Sequence, residues 1–251
     1  MLGVDLSAIQ ACLRAGIESR AIRVGPFLVA FDPHTDNPFR NYAIPDDGAE
    51  PTAEQVDRLL AAFAQRRRMP RLEYVGRPPA VESALAAAGF TADRRLPLMT
   101  ADPADLVAPP VPAGVEFRAA ESEEDLWRSA AVQNAAYGEA EPAGPDVDRL
   151  RRTIADGGGV ALAVTADTGE GVGSGVYTSP QRGLAEIAAV GVLPGYRRRG
   201  IATAVSHRLT VAALDAGAAP FLQADGEPEQ RMYARIGYRT LGELTLSTRH
   251  P

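Results

Sequence analysis

The segment LAEIAAVGVLPGYRRRGIATAV, Leu184 to Val205, constrains this chain more than any other stretch. An apolar, β-rich run enters Pro194-Gly195, then Tyr196-Arg197-Arg198-Arg199-Gly200, then a helical pattern. A strand that delivers a Gly- and Arg-rich loop to a helix N-terminus builds an anion site. The first-turn N–H groups, here those of Ile201, Ala202 and Thr203, have no intrahelical acceptor, and the helix dipole adds partial positive charge. Gly200 lets the backbone approach a phosphate without a Cβ in the way. Arg197, Arg198 and Arg199 add charge and bidentate donors. Such a unit commits this part of the chain to a mixed α/β architecture.

The composition narrows the anion. All 26 Lys+Arg residues are arginine. Without lysine the chain has no Walker-type phosphate loop, no Schiff-base chemistry and no kinase β3 lysine. The net charge of -6 gives no blanket attraction to nucleic acid. Cys12 is the only cysteine, which excludes an intrachain disulfide and a cysteine-based zinc site. His34, His207 and His250 are scattered, so no metal is expected. No apolar run is long enough to span a bilayer, and the start lacks a basic region followed by an apolar one. The expectation is a cytoplasmic protein without membrane contact; the Ala-, Arg-, Gly- and Pro-rich composition suggests a GC-rich bacterial genome.

Four prolines and no periodicity mark residues 101–114, ADPADLVAPPVPAG, as a linker. It predicts two domains, 1–100 and 115–251. In the first, helices are expected at Leu6–Ala15, Thr52–Arg68 with Thr52 as N-cap, and Pro79–Ala88. Strands are expected at Phe27–Phe31, Asn41–Ile44, Arg71–Val75 and Arg94–Thr100, the last interrupted by Pro97. In the second, Ser122 with Asp125 resembles a capping box. The element order there reads β-α-α-β-β-β-α-β-α-β. The run GVGSG, Gly171–Gly175, lacks a following helix and fails as a dinucleotide loop. Arg66-Arg67-Arg68 reads as a solvated helix C-terminus. Ser206, His207 and Asp215 share one helix and form no triad.

The run Arg197-x-x-Gly200-x-Ala202, preceded by V-x-L-P-G-Y, resembles motif A of the GNAT superfamily of N-acetyltransferases, [QR]-x-x-G-x-[GA]. The ending Met232-Tyr233-Ala234-Arg235-Ile236-Gly237-Tyr238 is similar to the family's L-Y-x-x-x-G-F. The resemblance covers the second half. It implies the GNAT acyl-CoA N-acyltransferase fold, an α/β (α+β) arrangement with a mixed, mostly antiparallel sheet flanked by helices. It also implies acetyl-CoA as cosubstrate, its pyrophosphate on the 197–203 loop. Arg71–Phe90 reads like a second copy of Phe221–Tyr238, but PDDGAEP stands where the coenzyme loop should be. The first half thus resembles a degenerate GNAT-like domain.

By the same resemblance, pantetheine lies against the strand at Val190 and Val192. Tyr233 takes the position of the family's general acid, with packing on a short helix as the other reading. Glu186 is placed like a general-base glutamate, or is an ordinary polar strand residue. Where the family often has an asparagine, this chain has Gly226, with Asp225 beside it as the candidate substitute. Trp127 and Tyr137 fall on a helix that lines the acceptor pocket in the family, although core packing is favoured for Trp127. The implied activity is transfer of acetyl to a primary amine of a small molecule or peptide by direct attack in a ternary complex, by a monomer or homodimer. A catalytically silent acyl-CoA-binding or regulatory module, or an enzyme holding another phosphate ester, are the alternatives.

Overall fold

In the computed structural model, residues 4–250 are described. They form helices α1 (Leu6–Glu18), α2 (Ala53–Gln65), α3 (Pro79–Ala87), α4 (Glu123–Tyr137), α5 (Gly144–Ala155), α6 (Ile201–Asp215) and α7 (Glu227–Ala234). The strands are β1 (Ala21–Val24), β2 (Phe27–Ala30), β3 (Tyr42–Pro45), β4 (Arg71–Val75), β5 (Thr91–Ala101) and β6 (Val115–Ala119). They continue as β7 (Gly159–Thr165), β8 (Gly171–Tyr177), β9 (Leu184–Val192), β10 (Ala219–Gln223) and β11 (Tyr238–Thr248). The chain divides into two compact units. One runs to Leu98 and takes up the chain again at Leu241; the other is Met99–Thr240.

In the first unit the strand order is β1-β2-β3-β4-β11. The β1-β2 and β2-β3 pairs are antiparallel, β3 and β4 are parallel across α2, and β11 closes antiparallel on β4. The apolar stripe of α2, Val56, Leu59 and Phe63, packs with Phe27, Val29, Leu72 and Tyr74 in one buried cluster. Such a stripe recurs at three- and four-residue steps, which is why α2 is legible as a helix. Its start is fixed by a full capping box in which Thr52 accepts from Gln55 N–H and Gln55 Oε1 accepts from Thr52 N–H.

In the second unit, which takes only the end of β5 from Met99 to Ala101, the order is β5-β10-β9-β8-β7-β6. Strands β6 to β9 pair antiparallel, and β9 pairs parallel with β10 across α6. The core joins α6 residues Ile201, Val205, Leu209 and Ala213 to the sheet through Ala163, Val172, Ile187 and Leu222. On another flank, α4 and α5 bury Leu126, Ala130, Val147 and Leu150 against Leu162, Val164 and Val176.

The elements depart from the sequence expectation in a few places. Strand β1, half exposed and four residues long, carries too little apolar periodicity to be read. Strand β5 continues through Pro97, whose fixed φ suits an extended chain and whose missing N–H removes one ladder donor. Ser122 caps α4 by accepting from Asp125 N–H at 3.1 Å, but the reciprocal half of the box is absent. The Asp125 carboxylate instead accepts from Arg118 at 2.7 Å and Arg128 at 3.2 Å. Trp127, expected in the core, is 40% exposed; the buried face of α4 runs through Leu126, Ala130 and Gln133 and leaves it outside. Arg66 and Arg68 are not simply solvated. Arg66 lies over the Phe31 ring at 4.4 Å, and Arg68 donates to Asn41 Oδ1 at 3.1 Å.

Candidate active site

The loop between β9 and α6 ends in left-handed backbone and leaves the first turn of α6 without a side-chain cap. Gly200 is the α6 N-cap, with φ 84° and no side-chain cap hydrogen bond. The first helical bond runs from Ala204 N–H to Gly200 O at 3.0 Å, so the N–H groups of Ile201, Ala202 and Thr203 precede the internal ladder. Arg198 is also left-handed, at φ 65°. Left-handed residues in such loops let successive N–H groups converge on one anion. A Cβ built on Gly200 would meet only Pro112 Cγ, at 3.8 Å, so conformation rather than crowding requires the glycine.

The three arginines divide the work. Arg197 donates Nε to Val192 O at 3.1 Å and Nη2 to Ala136 O at 3.3 Å. Its side chain therefore ties the loop to β9 and α4. Arg199 donates to Gly195 O at 3.0 Å and stacks over Tyr196 at 5.0 Å, while the Tyr196 hydroxyl donates to Glu170 at 3.2 Å. Arg198 is exposed and has no partner among the described residues.

Behind the loop the strands part. The parallel register of β9 with β10 covers Leu184, Ala185 and Glu186 opposite Ala219, Pro220 and Phe221. Beyond that point β9 continues to Val192 and β10 to Gln223 without further pairing. The other edge of β9 carries a bulge. Ser174 faces Gly191 and Val176 faces Ala188, so Ala189 and Val190 together oppose Gly175. Ala189 adopts φ 51° to make this turn. Leu193 N–H donates to Val172 O at 3.0 Å, toward β8. Strand alternation then turns the Val192 peptide toward the gap. Val190 O accepts the Tyr137 hydroxyl at 3.2 Å.

Tyr233 of α7 belongs to the same buried cluster as Val192 and Ile201, with Val190 and Ala202 packed against it. The residue is 7% exposed. Burial pushes its phenol up to about 12, with Tyr137 and Glu229 adding to the rise and Ser206 opposing it. It stays protonated across the neutral range. Glu186 sits at the last β9-β10 register position and accepts from Gln223 Nε2 at 2.8 Å. Gly226, the α7 N-cap, has φ 153°, a conformation nearly closed to other residues. Asp225 before it is exposed.

The structure thus gathers Val190, Val192, Ile201, Ala202 and Tyr233 in one cluster, and places Glu186 at the fork of the strands. Sequence reasoning missed the bulge at Ala189, the Gln223 partner of Glu186 and the tie made by Arg197. Among the described residues no group of three metal-ligating side chains occurs, and no helix is long and apolar enough to cross a membrane.

A strand fork, a bulged strand and an uncapped helix after a Gly-Arg loop thus lie together in one α/β unit. Residues 124–238 match the model of the acetyltransferase (GNAT) family. A GCN5-related N-acetyltransferase from Kribbella flavida is similar over 99% of this chain and 97% of its own, at 25% identity and a TM-score of 0.80. One from Sphaerobacter thermophilus is similar over 98% of this chain and 92% of its own, at 16% identity and a TM-score of 0.68. A GCN5-related N-acetyltransferase-like protein from Streptococcus suis covers 97% of this chain and 93% of its own, at 15% identity and a TM-score of 0.59. No curated protein matches the chain. The chain has the GNAT acetyltransferase fold, a mixed sheet flanked by helices of the type that binds acetyl-CoA.

Proposed function

We propose that the protein is an N-acetyltransferase that transfers the acetyl group of acetyl-CoA to a primary amine by direct attack in a ternary complex. The observation that carries this reading is the bare N-terminus of α6, set by Gly200 directly after the forked strand β9. Acetyl-CoA supplies an activated thioester, and the remaining work falls to this chain. The backbone from Arg198 to Thr203 receives the pyrophosphate, with the Arg198 guanidinium as a free cation; Arg197 and Arg199 hold the loop in shape. Val190 and Val192 line the fork for pantetheine. Gly226 can offer only its backbone there, and Asp225 is the neighbouring side chain.

An amine must be neutral to attack. Glu186 is the group placed to take its proton, directly or through water, steadied by Gln223. Tyr233 gives a proton to the departing sulfur; a buried neutral phenol is the right donor for a developing thiolate. Cys12, the only cysteine, is far in sequence from the 197–203 motif, so no cysteine lies beside the motif to carry an acyl group, which favours direct attack over an acyl-cysteine route.

The first unit, in this reading, is a copy of the same plan without a coenzyme site, and the domains are 1–100 and 115–251 around a 101–114 linker. Its order α1-β1-β2-β3-α2-β4-α3 parallels α5-β7-β8-β9-α6-β10-α7, parallel crossovers included. Its α2 N-terminus, however, is closed by Thr52 and Gln55, and Asp46 ahead of it binds Arg14 and Arg23.

Release of the free thiol from acetyl-CoA, followed over a panel of polyamines, aminoglycosides, amino acids and peptides, tests the reading. Turnover on one class is expected, and Tyr233→Phe should lower kcat on it by about 10²-fold. Coenzyme binding without turnover on any amine would instead establish the silent acyl-CoA-binding module.

A further inference from the structure

The proline-rich stretch 101–114 lies within the second unit and is fastened to it at both ends. After a single 3₁₀ turn at Pro103–Asp105, the chain crosses Gly237 so closely that a Cβ built on that glycine would stand 2.3 Å from Asp105 O. Leu106 packs against the core cluster that contains Ile236 and Tyr238, and Val107 N–H donates to Ile236 O at 3.4 Å. At the far end, Gly114 O accepts from Ala166 N–H at 2.9 Å, in the turn between β7 and β8. Between these ties run Pro109, Pro110 and Pro112. Proline fixes φ and gives up a donor, so the span is stiff without hydrogen bonds of its own. Its path meets the loop before α6: Pro112 Cγ lies 3.8 Å from the place of a Cβ on Gly200, the α6 N-cap. Pro112 is half-buried, whereas Pro110 and Val111 are exposed.

We propose that Pro112 forms one wall of the coenzyme site, and that the adenosine arm of acetyl-CoA lies against its ring. This rests on the coenzyme reading above. The N–H groups of Ile201, Ala202 and Thr203 follow Gly200 directly, so a pyrophosphate held by them has Pro112 beside it. Two arms leave the pyrophosphate. The pantetheine arm is drawn into the fork of β9 and β10, where Val190 and Val192 lie. The strap reaches Gly200 from Ile236 and leaves toward Ala166, across the start of α6. The arm that remains for Pro112 is adenosine.

The chemistry of this wall suits a purine. Adenine has two flat faces of low polarity, and the proline ring offers a rigid apolar surface with no N–H to leave unsatisfied. Proline gives up no side-chain freedom when it is covered. The strap is already tied at Ile236 and Ala166, so binding orders little that was free. A loose tether of the same length would present no fixed surface to a ligand. The segment that leads from β5 to β6 thereby becomes part of the site in the second unit.

Isotope-filtered NMR of the full chain, carrying isotope-labelled proline and saturated with acetyl-CoA, tests the contact. Nuclear Overhauser effects are expected from the adenine ring protons to one proline ring, whose signals vanish in Pro112→Ala. In titration calorimetry Pro112→Ala, which trims the ring back to a methyl group, should weaken acetyl-CoA binding about threefold to tenfold. Pro110→Ala loosens the same span but removes an exposed ring, and should leave the affinity within about twofold. Contacts to Pro112 from the pantetheine methyl groups instead of adenine, no contact to Pro112 from the bound coenzyme, unchanged affinity in Pro112→Ala, or an equal loss in Pro110→Ala would each overturn the proposal and leave the coenzyme reading intact. Failure of the intact protein to bind acetyl-CoA would overturn the coenzyme reading itself, and the proposal with it.

Discussion

Gly226 illustrates how little one letter says about the backbone beneath it. The sequence marks it as a departure from the asparagine common in the GNAT family, and its φ of 153° gives the reason. A Cβ there would meet Glu229 and Pro228 only at 3.6 and 3.7 Å, so space is available and conformation is not. Gly226→Asn should therefore cost about 1–3 kcal/mol in thermal or urea melts without tightening coenzyme binding. Asp125 shows the same gap between residue type and role. Burial works to raise its pKa, but the hydrogen bonds and charge of Arg118, with help from Arg128 and Ser122, leave it lowered. A depressed carboxyl stabilises the fold above its unfolded pKa of about 3.9 and loses that contribution as pH falls through the folded value. Asp125→Asn should flatten the acid end of the stability profile and cost about 1 kcal/mol at neutral pH. The Arg197 motif was legible as chemistry, but which guanidinium faces outward was not; that depends on Val192 O and Ala136 O, which a sequence does not bring together.

At the scale of elements, the glycines of β8 and β9 decide where α6 and α4 can lie. A Cβ at Gly173 would stand 2.6 Å from Ile201 Cγ2, and one at Gly175 would stand 2.9 Å from Leu209 Cδ1. On the α4 side, a Cβ at Gly191 would stand 2.6 Å from Ala136 Cβ. Gly173 and Gly175 of the run GVGSG thus seat α6 from Ile201 to Leu209, while a Cβ at Gly171 would stand 3.3 Å from Arg128 Cβ and Val132 Cγ2 of α4, which accounts for these glycines without any nucleotide. Gly173→Val should push back Ile201, destabilise the protein by about 1–3 kcal/mol, and weaken coenzyme binding because the anion-facing turn moves. Calorimetry beside a melting curve separates the two effects. The strand-loop-helix was legible because its apolar run, its Gly and its arginines are local signals. The bulge was not: alanine has no preference for a left-handed φ, and Ala189 adopts it only because β8 imposes the register.

Across the whole molecule, the element order of the second half is readable from periodicity, whereas the boundary between the units, at Leu98 and again at Leu241, is not marked by the proline-rich stretch. The placement of β11 is not readable either, because strand pairing at a separation of about 170 residues leaves no local trace. Its residues from Leu241 onward complete the first unit, where Leu244 to Thr248 pair with β4 and Gly76 N–H donates to Glu243 O at 2.8 Å. Deleting residues 241–251 should leave β4 with an unpaired edge and lower the melting temperature sharply, with aggregation on heating. The absence of lysine also has a practical use: acetyl-lysine appearing in a peptide acceptor cannot originate from this protein's own side chains. The central claim is that the Gly200 turn and the α6 N-terminus hold acetyl-CoA, and titration calorimetry tests it most directly. The intact protein should bind acetyl-CoA at one site, Gly200→Glu should abolish binding, and Arg198→Glu should weaken it about tenfold or more while the fold is retained. No binding by the intact protein, or equal binding by Gly200→Glu, would contradict the account.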